Sequence, residues 1–250
     1  MVCGDVYIFN GQSNMEASDA TGAYNWKLGQ WVRSTAYSGS TAVWARAGYQ
    51  CCFGNWPNDA FGNGPAGGGN VAANLGDLLS TAYQTPICII NQAYSGTTIE
   101  QHQPTAVNHA DATTLYGRLL KRVQAAGFAN DVKAILYYQG EYHSAATTYA
   151  GLFDNLYKAW KTDYPNIKKV YIEQVNAGCN EGGAYNAQVR EIQRNFQSTY
   201  SDITVMTAVG VTGFTGCHFS ELKPLKKRSM RSLRSILNGS LSIRLPSCRG

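Results

Sequence analysis

Short apolar runs alternate along the chain with segments whose apolar residues recur at the spacing of an amphipathic helix. The runs have strand length and are rich in Val, Ile and Tyr: Asp5–Phe9, Pro86–Asn91, Val132–Tyr138, Lys169–Val175 and Ile203–Val209. The helical segments are marked by Val71, Leu75, Leu78 and Leu79, by Leu115, Leu119 and Val123, by Leu152, Leu156 and Trp160, and by Val189, Ile192 and Phe196. A last helix is marked by Leu222, Leu225, Met230, Leu233 and Leu237. Strands that alternate with helices predict an α/β domain with a central parallel sheet of about five strands, covered on both faces.

The segment from Ala17 to Asn70 lacks this alternation. It holds four of the five tryptophans, many Gly and Asn residues, and one short strand candidate at Ala42–Ala45. An insertion directly after the first strand is expected to overhang the carboxyl edge of the sheet, and long ordered loops are usually functional. Trp56 is therefore a candidate for stacking on a sugar ring. The alternative, that these tryptophans form a small satellite core, stays open.

Basic residues are concentrated near the carboxyl terminus. The net charge is +5, yet residues 223–250 hold eight basic residues and no acidic one, so the preceding part has 13 basic against 16 acidic residues. We expect one domain over residues 1–240 and a basic tail over residues 241–250 that can be disordered. Aromatic residues are not interleaved with these bases and no nucleic-acid motif is visible, so no nucleic-acid partner is expected.

Neither a membrane segment nor a signal peptide is expected. No apolar run reaches the roughly 18 residues of a membrane span, and Met1 to Asp5 lack the basic and then apolar pattern of a signal sequence. Secretion and a cytoplasmic location both stay open, as does the oligomeric state. Because seven cysteines is an odd number, at least one is unpaired or pairs with another chain. The absence of a C-x-x-C pair removes support for a zinc site and for thioredoxin-type chemistry.

Reactive groups follow four of the predicted strands. They are Ser13, Gly96, the segment Gln139–Glu141 and His218. Gly11 permits the tight turn that a serine needs if its hydroxyl is to be exposed. Because the carboxyl ends of parallel strands meet at one edge of a sheet, the serine and the histidine can meet there. That arrangement suits nucleophilic acyl transfer.

These groups occur in the order of the four conserved blocks of the SGNH-type hydrolases. Gly-Gln-Ser-Asn-Met at residues 11–15, Gly96, Gln-Gly-Glu at residues 139–141 and His218-Phe219 resemble in particular carbohydrate esterase family 6 and the sialate O-acetylesterase-like domains. The resemblance runs from about Asp5 to Phe219. It implies a three-layer α/β/α fold of the SGNH or flavodoxin-like type. It also implies deacetylation of a carbohydrate such as xylan or sialic acid, with no metal and no cofactor.

The resemblance also implies a role for each matching residue. Ser13 is the expected nucleophile and His218 the expected general base. The expected oxyanion hole consists of the backbone N–H groups of Ser13 and Gly96 and the side chain of Gln139, which replaces the Asn that is usual in the wider family. The residues expected to contact the substrate are Gln12, Asn14 and Trp56.

Thr215 departs from the family pattern. The family usually has an Asp three residues before the histidine, where it holds the imidazole in its useful tautomer. A threonine hydroxyl can accept a hydrogen bond from the ring but cannot stabilise the imidazolium as a charge does. Three interpretations stay open. Glu141 replaces the Asp, the backbone holds the ring in a slower Ser–His dyad, or the chain is an inactive relative that binds carbohydrate.

Each candidate also has a plain structural interpretation. Ser13 could cap the helix that follows it, and His143 is an alternative base close to Glu141. His102 and His109 have no acidic residue at metal-ligand spacing and are predicted to lie at the surface. The absence of Gly-x-Ser-x-Gly argues against the α/β-hydrolase class, and the absence of a phosphate-binding loop argues against a nucleotide hydrolase. An esterase for longer apolar acyl chains is a further alternative.

Overall fold

A seven-stranded sheet forms the centre of the computed structural model, which describes residues 4–16, 31–38, 40–46, 68–142, 145–176, 183–211, 214–215, 217–219 and 231–238. The strands are β1 (Asp5–Gly11), β2 (Val32–Ser38), β3 (Thr41–Arg46), β4 (Ile87–Asn91), β5 (Val132–Tyr138), β6 (Lys169–Glu173) and β7 (Ile203–Met206). Their order across the sheet is β3-β2-β4-β1-β5-β6-β7, and only β2 with β3 is antiparallel. The predicted parallel sheet is confirmed, with six parallel strands where about five were expected.

Helices flank this sheet. Those among the described residues are α1 (Ser13–Glu16), α2 (Gly69–Tyr83), α3 (Leu115–Ala125), α4 (Ala146–Asp163), α5 (Gly183–Thr199), a 3₁₀ helix at Ile99–His102, and a helix over residues 231–238. The predicted apolar stripes are the buried faces, since Leu75, Leu119, Leu156 and Val189 are inaccessible to solvent. Burial of each such side chain stabilises the fold by about 1.5–3 kcal/mol.

The position of β1 determines where a site can form. β1 lies between β4 on one side and β5 on the other, so the chain leaves its carboxyl end toward one half of the sheet and later returns to build the other half. Such a reversal opens a crevice at the carboxyl ends of the two central strands. Every residue of β1 is buried, as expected for a central strand that is covered on both faces. Ser13 follows this strand directly.

The sequence interpretation missed most of the β2–β3 hairpin. Only Ala42–Ala45, which lies within β3, was expected as a strand. β2 continues the parallel sheet beside β4, and its Ser34 and Thr35 are completely buried. Polar residues in the core interrupt the apolar pattern by which a buried strand is recognised. Residues 47–67, including Trp56, lie outside the described residues.

A second, very small sheet carries the histidine. β8 (Phe214–Thr215) and β9 (His218–Phe219) pair antiparallel, with Thr215 opposite His218. The expected tail over residues 241–250 lies outside the described residues. Within the described ranges, no helix is long and apolar enough to cross a bilayer, and no three His, Cys, Asp or Glu side chains are grouped as a metal site requires.

Candidate active site

The turn after β1 is fixed by close contact with the end of β5. Gly11 has φ +135°, and a Cβ at this position would lie 2.0 Å from the carbonyl oxygen of Tyr138, so no other residue fits. The Gln12 N–H donates to the same carbonyl at 2.9 Å. Ser13 then begins α1 with 8% of its surface exposed. The strand–turn–helix geometry therefore holds the serine backbone rigidly at the carboxyl edge of the sheet.

Ser13 and His218 meet at this edge. The distance between Ser13 Oγ and His218 Nε2 is 2.9 Å, although the two residues are 205 positions apart in the chain. At this distance the imidazole nitrogen can accept the hydroxyl proton as the hydroxyl oxygen becomes a nucleophile. The structure thus brings together the two residues on which the sequence interpretation depends.

The loop after β4 lies against the serine turn. The Tyr94 N–H donates to the carbonyl oxygen of Gly11 at 2.9 Å. Gly96 has φ +71° and is exposed, and nothing lies within 4 Å of the position that a Cβ would occupy. A left-handed glycine in open space lets a substrate oxygen approach the backbone closely. The geometry is compatible with the expected role of Gly96 beside Ser13.

His102 contacts this loop through Thr97. It was predicted to lie at the surface, and that prediction is wrong. It is buried, and its Nε2 lies 2.8 Å from the hydroxyl oxygen of Thr97. Because that hydroxyl donates its single proton to the carbonyl of Tyr94 at 2.6 Å, Nε2 must be the donor, which fixes the tautomer. Burial lowers the pKa of His102 from 6.5 to about 4, so the ring is neutral at physiological pH.

Gln139 connects the loop after β4 with the turn after β5. Its side chain is completely buried, and Nε2 donates to the carbonyl oxygens of Thr97 at 3.3 Å and Tyr142 at 3.2 Å. The backbone carbonyl oxygen of Gln139 accepts hydrogen bonds from Tyr149 Oη and Gln193 Nε2, both at 2.8 Å. An amide has two N–H groups, so both are used here. A role as oxyanion donor therefore requires one of the two bonds to open.

Glu141 is the acceptor at the centre of a buried network. Its carboxylate accepts from Tyr138 Oη at 2.5 Å, from Asn14 Nδ2 at 2.9 and 3.1 Å, and from Gln12 Nε2 at 3.3 Å. Gln12 Oε1 in turn accepts the backbone N–H groups of Gly140 and Glu141. Gln12 and Asn14, both expected to contact the substrate, are each only 3% exposed. In the structure both side chains therefore bind the Glu141 carboxylate inside the protein.

Two predicted residues, Trp56 and His143, lie outside the described residues.

Among the cysteines, Cys217 is disulfide-bonded, whereas Cys88 is a free thiol whose pKa is raised to about 12 by burial. The disulfide is formed by the residue directly before His218.

Arg122 is a structural residue that the sequence interpretation missed. It is completely buried, and its guanidinium donates to the carbonyl oxygens of Thr35 and Asn91 and to the side chain of Gln92. Its position on α3, at helical spacing from Leu119 on the apolar face, is the signal that could have revealed it. Through these bonds it ties β2 to the carboxyl end of β4, from which the Gly96 loop departs.

A family model described as carbohydrate esterase, sialic acid-specific acetylesterase, matches residues 3–223 of the chain. A search of curated protein sequences returns no match. Among solved structures, a protein from Arabidopsis thaliana has a TM-score of 0.67 at 19% sequence identity, and the match covers 94% of this chain and 98% of that one.

Two further solved structures are similar. A carbohydrate acetylesterase from Xanthomonas citri has a TM-score of 0.66 at 19% identity, with 94% of this chain and 57% of that one covered. A lipase/acylhydrolase from Enterococcus faecalis has a TM-score of 0.54 at 11% identity, with 97% of this chain and 100% of that one covered. At these identities the solved structures establish a shared fold.

Proposed function

The chain belongs to the carbohydrate esterase family of sialic acid-specific acetylesterases, and we propose that it removes O-acetyl groups from a carbohydrate of the acetylxylan or sialate type. The proposal is carried by the 2.9 Å distance between Ser13 Oγ and His218 Nε2. A nucleophile and a base within hydrogen-bonding reach are the minimum that covalent acyl transfer requires.

In the first proposed step, Ser13 Oγ attacks the acetyl carbonyl carbon while His218 Nε2 takes the hydroxyl proton. The tetrahedral oxyanion is stabilised by the backbone N–H groups of Ser13 and Gly96. It collapses when the sugar oxygen leaves with the proton that His218 returns to it. In the second step, water attacks the carbonyl carbon of the acetyl ester on Ser13 while His218 takes a proton from that water. The bond to Ser13 Oγ then breaks as His218 returns the proton to Oγ, which restores the serine and releases acetic acid.

The oxyanion donors supply a large part of the proposed rate enhancement. Removal of one such donor typically costs about 2.7–4 kcal/mol of transition-state stabilisation. The carbonyl oxygen of Gly11, in the turn before Ser13, accepts a hydrogen bond from the Tyr94 N–H. This bond joins the turn that carries the Ser13 N–H to the loop that carries the Gly96 N–H. Gln139 is the third proposed donor, and one of its two present hydrogen bonds would open when the oxyanion forms. The same bonds keep it directed at the two loops of the site.

The length of the acyl chain that the protein prefers distinguishes an acetylesterase from a lipase. We expect kcat/KM for p-nitrophenyl acetate to exceed that for p-nitrophenyl octanoate, and acetate to be released from acetylated xylo-oligosaccharides or O-acetylated sialic acid. Both can be followed by spectrophotometry and by acetate assay. A preference for octanoate would favour an apolar acyl substrate. Carbohydrate binding without any ester hydrolysis would favour the non-catalytic relative.

Tyr142 favours a sugar as the substrate. It directly follows Glu141 at the carboxyl end of β5, and 56% of its surface is exposed. Its backbone carbonyl accepts a hydrogen bond from Gln139, which also donates to the carbonyl of Thr97 in the Gly96 loop, so the backbone that carries this accessible ring is held close to the proposed oxyanion site. Aromatic rings combine a large apolar face with a defined geometry, and such contacts contribute about 0.5–1.5 kcal/mol.

Tyr142→Ala is therefore expected to raise KM for an acetylated oligosaccharide about two- to tenfold, while kcat/KM for ethyl acetate, which has no ring, stays unchanged. Trp31 provides the matched control because it is 51% exposed but lies before β2, at the opposite edge of the sheet. Trp31→Ala should leave the kinetic constants for both substrates unchanged. Equal losses on both substrates in Tyr142→Ala would mean that this side chain does not recognise the sugar.

A further inference from the structure

We propose that Asn14 positions His218 by connecting the Glu141 carboxylate to the backbone of the histidine hairpin. The bond that makes this connection runs from Asn14 Nδ2 to the carbonyl oxygen of Cys217, at 2.8 Å. Asn14 is thereby a positioning residue that contacts no reacting atom, in contrast to the substrate contact expected from the sequence. The inference rests on the proposed function, because it concerns the geometry of the same Ser–His pair.

The hairpin that carries His218 needs such an anchor. β8 and β9 have two residues each, and within the described part of the chain they pair only with one another. A two-stranded hairpin is marginally stable on its own, even when its strands are longer than these. The 2.9 Å contact between His218 and Ser13 therefore depends on contacts that attach the hairpin to the body of the domain. The Asn14 bond is made at the residue directly before the histidine, and Cys217 also forms a disulfide.

The chemistry of the neighbouring groups determines the orientation of the Asn14 amide. The carboxylate of Glu141 and the carbonyl of Cys217 can only accept, so both require the NH₂ end of the amide. One N–H is directed at the two carboxylate oxygens, at 2.9 and 3.1 Å, and the other at the carbonyl oxygen. A flipped amide would set its oxygen against two acceptors. The bridge can therefore form in only one way.

Glu141 makes this bridge strong and rigid. Hydrogen bonds to a carboxylate are roughly twice as strong as those between neutral groups, so the carboxylate holds the Asn14 amide firmly. The carboxylate is itself held by Tyr138 Oη and Gln12 Nε2, which belong to β5 and to the serine turn. Glu141 thus acts on the histidine through Asn14, and the same network fixes the turn that carries Ser13.

Three variants separate this bridge from a general packing effect. Asn14→Leu removes both N–H groups at nearly constant volume, and we expect kcat to fall about 10²-fold, the cost of a small misplacement of a reacting group, with KM unchanged. Glu141→Gln should lower kcat in the same direction, because the amide it introduces presents N–H groups to donors. The double variant Asn14→Asp with Glu141→Gln restores a donor–acceptor pair between positions 14 and 141.

The double variant is the decisive one. Its melting temperature should recover toward that of the wild type, because the pair is restored with the roles exchanged. Its kcat should stay low, because a carboxylate at position 14 has no N–H for the Cys217 carbonyl. Recovery of kcat together with stability would overturn the proposal. Asn74→Leu is the matched control, since Asn74 is also buried but its Nδ2 bonds the carbonyl of Asn70 within α2. It should lower stability without lowering kcat.

A readout independent of turnover keeps this test separate from the proposed function. The chain has four histidines, so the ¹⁵N ring signals of His218 can be assigned by comparison with His218→Gln. We expect the signals of a fixed tautomer in the wild type and averaged signals, as in free imidazole, in Asn14→Leu. Unchanged His218 signals in that variant would overturn the positioning role. Absence of Ser13-dependent turnover, with the signal change intact, would overturn only the proposed function.

Discussion

Ser13→Ala is expected to remove all ester hydrolysis above the background that oxyanion donors and binding alone provide. The loss in kcat should be about 10⁶-fold if the histidine has a full acid partner, and about 10²-fold if the site is a dyad, because removal of the acid alone costs about 10⁴-fold. The size of the loss therefore measures how complete the triad is. It can be read from the initial rates of p-nitrophenyl acetate hydrolysis by the two purified proteins.

Ser80→Ala is the matched control for this experiment. Ser80 and Ser13 are each 8% exposed, but Ser80 lies in α2, away from the hairpin that carries the histidine. Its replacement should leave kcat unchanged. If Ser13→Ala retained the wild-type rate, the nucleophile would have to be another residue, and the proposed mechanism would be wrong.

Thr215→Asp is expected to raise kcat, by up to about 10⁴-fold if no other acid supports the histidine. Thr215 and His218 are directly opposite each other in the β8–β9 hairpin. Because Cβ atoms in cross-strand pairs lie about 4.5–5.5 Å apart, we expect a carboxylate introduced at position 215 to reach the imidazole ring. There it would hold the tautomer and stabilise the imidazolium that forms when Ser13 is deprotonated.

Thr215→Asn is the control, since it has nearly the shape of Asp but no charge, and it should leave kcat near that of the wild type. An unchanged rate in Thr215→Asp would contradict the interpretation of a weakened triad. If Glu141→Gln at the same time abolished activity, and Asn14→Leu did not lower it, the acid would be Glu141 itself.

The parallel sheet and its helices could be predicted because their apolar periodicity is strong. The five expected strands and the first four of the five expected helices all occur, and family membership agrees with the motifs at residues 11–15 and 139–141. Of the fifth expected helix, the described residues include a helix over residues 231–238. β2 was missed because its buried positions include the polar residues Ser34 and Thr35. Pattern analysis recognises a buried strand by its apolar residues, so it fails where the core itself is polar.

The candidate site was predictable in its residues but less so in their roles. Ser13 and His218 were expected to meet, and their distance is that of a hydrogen bond. For Asn14 and His102 the sequence did not reveal the burial, because burial depends on how segments far apart in the chain pack together. A motif gives the type of a residue and its place in the sequence. Whether its side chain faces the substrate or a neighbouring loop follows only from the packed fold.

The central claim is that His218 activates Ser13, and the most direct measurement is covalent labelling with a p-nitrophenyl phosphonate ester. Mass spectrometry of the intact protein and of its peptides should find one phosphonyl group per chain, attached to Ser13. Labelling of His218→Asn should be slower by orders of magnitude, because the hydroxyl then keeps its proton during the attack. Labelling at another residue, or an equal rate in His218→Asn, would contradict the account.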